Sequence, residues 1–443
     1  MFPLRLPLPS RPAGTAVVVA ALGVTGALLA SPGPAEAMYP AIPWNPPAVA
    51  AASPPIGTPP GAPIGVALTA TPAVRAALDA RLDDIRTRTG IPGVSVAIGF
   101  PDGSLWVGAA GDADLAAGTP VAPATSFPIA SISKTFTAAL VLALVGDGRL
   151  GLDDSVDRLL PELDLDARIT VRQLLDHTSG LRDFFMAPKI DAALQRDPGR
   201  RWDADDALAY VGKPYAKPGR TWHYSNTNYL ILGLLAERVG RAPLADQLRD
   251  RFLTPLGLTH TWYQPTETPR GALAHAYRMP RARPDPTAVD LSDGSDIAPF
   301  TSVVTAAGGA GGMASSAADL VRWADALYGG EVLPPALVAA MTSDAPRAKK
   351  LGPGVHYGLG VQLGDVLGYR SMGHSGRLLG ARSVVRWLPD VGVTIAVLTN
   401  QSRTDPAAIA RSLLKVFLAP VPAPSASAPA ATAKPSGTRA SAD

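Results

Sequence analysis

The chain has 443 residues, 47% of them apolar and 17% charged, with a net charge of +3. It is long enough to bury a sizeable core, and so small a net charge with no dense Lys/Arg run argues against nucleic acid as a partner. The absence of cysteine excludes disulfides, thiolate nucleophiles and Cys-ligated zinc, and six histidines without HExxH or a close pair give no expected metal site; no cofactor is expected either.

Residues 1–37 read as a signal peptide. Arg5 and Arg11 give a positive start, the stretch from Ala13 to Ala30 is apolar, and Ala35-Glu36-Ala37 is an A-x-A cleavage site. The expectation is a secreted protein with a mature start at Met38; an uncleaved membrane anchor is the alternative. Residues 38–71 are rich in Pro, Ala and Gly without periodicity and read as a linker. Residues 420–443, rich in Ala, Pro and Ser, read as a disordered tail. The folded unit is therefore 72–419.

That unit opens on a predicted amphipathic helix from Pro72 to Thr89. A hairpin follows: Val94, Val96 and Ile98 alternate with smaller residues, Pro101-Asp102-Gly103 turns the chain, and Leu105-Trp106-Val107 returns it. Near the other end, Val355, Tyr357, Leu359, Val361 and Leu363 alternate strictly. Arg382 to Leu388 and Val393 to Thr399 form a second hairpin about Pro389-Asp390-Val391-Gly392, and a last helix runs from Pro406 to Leu418. Between these lies a mostly helical stretch, about 140–300. The expected architecture is α+β: one antiparallel sheet assembled from both ends of the unit, flanked by the terminal helices, with a helical lobe inserted. The cleft between the lobes is where a site is expected.

Three motifs carry chemistry. The first is Ser131-Ile132-Ser133-Lys134. Pro128-Ile129-Ala130 resists helix, and the apolar run from Thr135 to Val145 is helical. Residues three apart share a helical face, so the Lys134 amine can reach the Ser131 hydroxyl. A serine alcohol is a weak nucleophile until a base takes its proton, and a lysine whose pKa is lowered by burial can do so. The plainer reading is an N-cap serine beside an exposed lysine. Ser412-Leu413-Leu414-Lys415 matches the same pattern and reads as ordinary helix surface. The second motif is Tyr224-Ser225-Asn226, after a Pro218-Gly219 turn and before a helix from Asn228 to Val239. A phenol and an amide two apart in extended chain face one way; the plainer reading is a packed Tyr and a capping Asn. The third is His374-Ser375-Gly376, where a strand glycine lets a ligand approach the backbone and the strand offers an N–H to an oxyanion. Its plainer reading is a tight glycine-rich strand end.

In this order and spacing the motifs resemble the serine β-lactamase and penicillin-binding superfamily, with its S-x-x-K, Y-x-N and K-T-G elements. The His374-Ser375-Gly376 variant looks like the class C-like branch: class C β-lactamases, soluble D-alanyl-D-alanine carboxypeptidases and family VIII esterases. Leu174-Leu175-Asp176-His177-Thr178-Ser179-Gly180-Leu181, the run from Gly311 to Leu320, and Pro389-Asp390-Val391-Gly392-Val393 agree with it. The resemblance implies a β-lactamase/transpeptidase-like fold over 72–419. It implies that Ser131 forms an acyl-enzyme, with Lys134 and Tyr224 moving its proton, which of them is the formal base being open. The backbone N–H groups of Ser131 and Arg377 would form the oxyanion hole. Asn226, His374, Ser375 and Gly376 would bind substrate, Asn226 through the acyl amide. His374, charged part of the time near neutral pH, would be a weak anchor for a substrate carboxylate. His177 reads as structural. The expected partner is a small molecule or peptide with an acyl bond: a cell-wall peptide, a β-lactam or an ester. A D-alanyl-D-alanine carboxypeptidase comes first, with a β-lactamase, an esterase or D-amino acid amidase, and a non-catalytic sensor as alternatives; a monomer is expected. Substrate choice should lie in the lobe from Leu181 to Arg283 and the loop from Arg283 to Phe300.

Overall fold

The computed structural model describes residues 68–279, 288–343 and 354–421. The predicted signal peptide, most of the linker and tail, and part of the loop from Arg283 to Phe300 lie outside the described residues.

Helix α1, Pro72–Thr89, has the expected bounds. Thr71 accepts a hydrogen bond from the Val74 N–H, Pro72 fits the first helical position, and Gly90 ends the helix in the left-handed region at φ 63°. Strands β1, Gly93–Gly99, and β2, Leu105–Asp114, form the first hairpin. A short β3, Thr119–Pro120, extends it. From the chain's other end come β4, His356–Tyr357; β5, Gln362–Val366; β6, Tyr369–Leu378; β7, Ala381–Leu388; and β8, Val393–Thr399. All pairings are antiparallel, in the order β3-β2-β1-β8-β7-β6-β5-β4. The two ends meet where β1 pairs with β8, Val94 opposite Thr399 and Ile98 opposite Ile395. This is the α+β sheet expected from the sequence.

One face of the sheet is covered by α1 and the C-terminal helix: Leu78, Leu82 and Ile85 pack with Val94, Ile395, Ile409 and Leu413. That last helix runs Pro406–Leu414 and not to Leu418; Lys415–Phe417 are turns whose N–H groups reach back to Arg411, Leu413 and Leu414. The other face carries the helical lobe, built on α2, Ser133–Gly146. Residues Ser133 to Leu144 are all buried: the run from Ala138 to Leu144 is apolar on every side, and Lys134, Thr135 and Thr137 at the start have hydrogen-bond partners. Phe136 stacks on Trp323 at 3.9 Å, and the Trp323 indole donates to Thr135 Oγ1 at 2.9 Å.

The strict alternation from Val355 to Leu363 is two strands and not one. β4 and β5 pair with each other across a break at Gly358–Val361. Gly360 takes φ +82°, and a Cβ there would meet Ala138 Cβ at 2.4 Å; the loop folds tightly over α2. Alternation reports side-chain direction and is blind to such a fold-back.

Candidate active site

Ser131 lies in a 3-10 turn, Ala130–Ile132, that runs directly into α2. The turn is pinned on both sides. Ile129 N–H donates to the Met313 carbonyl at 3.0 Å, and the Ser383 hydroxyl of β7 donates to the Ile129 carbonyl at 2.8 Å. Ala130 is held at φ 48°, a conformation that costs a non-glycine residue about 1–3 kcal/mol and is sustained only by its surroundings. β6 passes directly over this turn at Gly376. A Cβ there would stand 2.2 Å from the Ile129 carbonyl and 3.1 Å from Ala130 Cβ. The glycine thus admits the segment that carries Ser131, where a ligand's close approach was expected.

Lys134 follows one turn later and is fully buried. Its ammonium donates to Ser131 Oγ at 3.1 Å, Asn226 Oδ1 at 2.7 Å and the Ala310 carbonyl at 2.7 Å. Burial brings its pKa down to about 7, against the opposing pull of Asp183. Three acceptors satisfy the three N–H groups of the charged form. The neutral amine keeps two N–H groups for the shorter contacts to Asn226 and Ala310 and turns its lone pair to Ser131, the longest. It is thereby placed to take the serine proton.

Tyr224 precedes the helix Asn226–Gly240, which begins two residues earlier than its apolar run suggests. Its ring lies under the Lys134 ammonium, 5.1 Å from the centroid, and against His177 at 4.4 Å. Burial raises the phenol far above its ordinary pKa, and a hydrogen bond with Ser131 opposes this. At neutral pH Tyr224 is therefore a proton donor, while Lys134 is near half neutral. The amine's lowered pKa favours proton uptake by Lys134, and the phenol's raised pKa favours proton donation by Tyr224.

Asn226 already has protein partners at both ends of its amide, with one N–H and one lone pair left over. Its Nδ2 donates to Asp183 Oδ2 at 2.8 Å while its Oδ1 faces Lys134. The opposite charges of these partners fix the orientation of the amide. Asp183 is not among the residues that the sequence motifs single out. It lies buried two residues past the Leu174–Leu181 motif, its pKa raised by burial. Nothing local marks it beyond that position.

His374 corrects one expectation, that of its charge. It is fully buried, its Nδ1 bonded to the Ser375 carbonyl at 2.7 Å and its Nε2 to the Tyr357 hydroxyl at 3.0 Å. A carbonyl only accepts, so Nδ1 carries the proton and Nε2 accepts from Tyr357. Burial and the nearby Lys134 push its pKa well below the ordinary value. It is neutral at pH 7, with no part-time charge for a substrate carboxylate. His177 is likewise buried and neutral, its Nδ1 accepting from the Ser225 N–H at 3.2 Å, which agrees with a structural part.

β5 pairs with β6 only as far as Gly373, so beyond it the outer edge of β6 is open among the described residues. Leu378 and Ala381 close a two-residue turn, and ladder alternation turns the N–H groups of Ser375 and Arg377 away from β7. Gln362 Oε1 receives the Ser375 N–H at 3.1 Å. The Arg377 N–H points to the open edge. Arg377, Ser131 and Asn226 line one cavity of about 420 Å³. Much of the rest of its wall is apolar: Phe185, Met186, Leu194, Val303, Leu378 and Leu379. The structure thus gathers Ser131, Lys134, Tyr224 and Asn226 at one point and leaves the Ser375 and His374 side chains bonded to protein partners. The arrangement can attack a carbonyl with an activated serine beside an apolar cavity.

The Beta-lactamase family profile matches residues 76–418. Penicillin-binding protein 4 of Amycolatopsis lactamdurans is 31% identical over 335 residues, 72% of this chain and 84% of that protein. D-aminopeptidase of Cereibacter sphaeroides is 30% identical over 354 residues, 77% of this chain; the match spans 62% of that relative's length. Among solved structures, D-amino acid amidase from Ochrobactrum anthropi in complex with L-phenylalanine amide superposes with a TM-score of 0.68 at 27% identity, covering 78% of this chain and 98% of that one. D-stereospecific amidohydrolase from Streptomyces sp. gives 0.63 at 28%, with the same coverage.

Proposed function

The chain belongs to the beta-lactamase family and is a serine hydrolase of that fold, and from this we propose that it is an exported enzyme of D-alanyl-D-alanine carboxypeptidase type, releasing the C-terminal residue of short D-residue peptides. The observation that carries the reading is Arg377. Its guanidinium is exposed, has no ion pair or hydrogen bond among the described residues, and belongs to a residue lining the Ser131 cavity. With His374 neutral, Arg377 is the cation available to a leaving residue's carboxylate. The names D-aminopeptidase and D-amino acid amidase among the relatives favour an amide over a lactam or an ester.

In this reading neutral Lys134 takes the Ser131 proton as Oγ bonds to the substrate carbonyl carbon. The N–H groups of Ser131 and Arg377 hold the oxyanion. Tyr224 gives a proton to the leaving nitrogen as the C–N bond breaks, and is restored from Lys134. Water then attacks the acyl-enzyme, its proton passes back through Lys134, and Oγ leaves as the serine hydroxyl. The test is a panel of a D-Ala-D-Ala peptide, its C-terminal amide, nitrocefin and a p-nitrophenyl ester, with intact-mass detection of the acyl adduct. The expected result is Ser131-dependent turnover of the free-carboxylate peptide at least tenfold above its amide, a preference that Arg377→Gln abolishes. Equal rates on both peptides would reject the carboxypeptidase reading.

A further inference from the structure

A second unpaired charge lies in the same cavity. Asp191 is exposed, has no hydrogen bond or ion pair among the described residues, and lines the cavity together with Ser131. It sits on the helix Ile190–Arg196. Leu194, three residues on and so on the same helical face, lines the cavity as well. That places Asp191 on the side of the helix turned to the nucleophile. Asp191 and Arg377 border one cavity and do not pair with each other.

We propose that Asp191 is a specificity-determining residue that binds the free α-ammonium of the residue whose carbonyl Ser131 attacks. The inference rests on the peptidase reading above and narrows its substrate class. An unblocked dipeptide carries an ammonium at one end and a carboxylate at the other, matching the two unspent charges of the cavity. A chain extended at its amino end, as in a cell-wall peptide, presents an uncharged amide where Asp191 waits. The cavity adds a second selection. Phe185, Met186 and Leu194 form an apolar wall, and a methyl side chain leaves much of about 420 Å³ unfilled. The favoured amino-terminal residue is therefore bulky and apolar, D-Phe before D-Ala.

The test compares kcat/KM for D-Phe-D-Ala and its N-acetyl derivative on the full-length protein, its Asp191→Asn variant and its Asp191→Glu variant. A hydrogen bond to a charged group that the bound substrate shields from water is worth about tenfold or more. The expected result is a free-over-acetylated ratio of at least ten in the parent, near one in Asp191→Asn, and largely restored in Asp191→Glu. A misfolded variant lowers both rates and leaves the ratio unmoved, so the ratio reads recognition alone. If the parent cuts the acetylated peptide as fast as the free one, or Asp191→Asn keeps the parent's ratio, Asp191 does not read the amine and the inference falls while the peptidase reading stands. If the parent cuts neither peptide but cuts the D-Ala-D-Ala peptide, the inference falls and the peptidase reading stands; if it cuts none of the three and still turns over a p-nitrophenyl ester through Ser131, both fall.

Discussion

Lys134 Nζ and Asn226 Oδ1 lie 2.7 Å apart, a shorter contact than the 3.1 Å between Nζ and the serine hydroxyl that the lysine serves. The amide expected to bind the substrate also bonds the base.

From this follows the outcome of Asn226→Ala. If Asn226 worked through the substrate's acyl amide, a peptide would suffer more than a simple acetate ester. Acting through Lys134, its loss slows both substrates alike, by about tenfold or more, the usual worth of a hydrogen bond to a charged group. The ratio of the two kcat/KM values is the measurement.

The pH dependence follows from the same pair. Lys134 must lose its proton to act, and its pKa stands at about 7, so kcat/KM rises with pH through about 7. The Asp183 charge favours the protonated lysine and holds that value up. Asp183→Asn removes the charge and keeps an oxygen for the Asn226 amide, so Lys134 deprotonates more readily and the rising limb moves to lower pH. A limb that stayed in place or moved up would show that Asp183 does not act on Lys134.

Gly376→Ala tests the crossing of β6 over the Ser131 turn. The new methyl meets the Ile129 carbonyl and Ser383 Oγ at 2.2 Å, both of them tied into the sheet and the turn. Overpacking of this kind costs about 1–3 kcal/mol. Activity falls further than stability, because the strain is released at Ser131. Gly329, ending the helix Ala317–Gly329, has nothing within 4 Å of a built Cβ, so Gly329→Ala leaves both Tm and rate close to the parent values.

What the sequence carried, and what it did not, divides by distance along the chain. The cap residues Thr71, Pro72 and Gly90 announce α1 because capping is local. The Ser131–Lys134 pairing is legible because a helix brings residues three apart together. Asp183, 43 residues from its partner Asn226, meets it through a side-chain hydrogen bond that no spacing rule anticipates. The charge of His374 was unreadable for a related reason. Its neutrality is set by burial and by Tyr357, 17 residues away on a strand that pattern alone had merged with its neighbour. The Ala310 carbonyl that accepts from Lys134 was equally hidden, since backbone oxygens leave no mark in a sequence.

Ser412 offers an internal control. It shares the four-residue pattern, but it is half-buried on the C-terminal helix that covers the opposite face of the sheet, and Lys415 is exposed in the turn that follows. Ser412→Ala leaves turnover intact, and Ser131→Ala abolishes it together with the acyl adduct in the mass spectrum.

The division of roles between Lys134 and Tyr224 has a sharper test in the leaving group. The buried phenol stays protonated at neutral pH, so its contribution is a donated proton. A peptide nitrogen cannot depart as an anion and needs that proton in the transition state. A p-nitrophenolate departs without one. Tyr224→Phe keeps the ring against His177 and under the Lys134 ammonium and removes only the hydroxyl. Tm should therefore change little. General acid assistance is typically worth about a hundred- to ten-thousandfold in rate. Tyr224→Phe should lose about that much on a D-residue peptide and far less, about tenfold or under, on the p-nitrophenyl ester. A base removes the serine proton whatever the leaving group, so a loss of that larger size on both substrates would make Tyr224 the base and Lys134 its support. A small loss on both would leave Lys134 to carry the proton through both half-reactions alone.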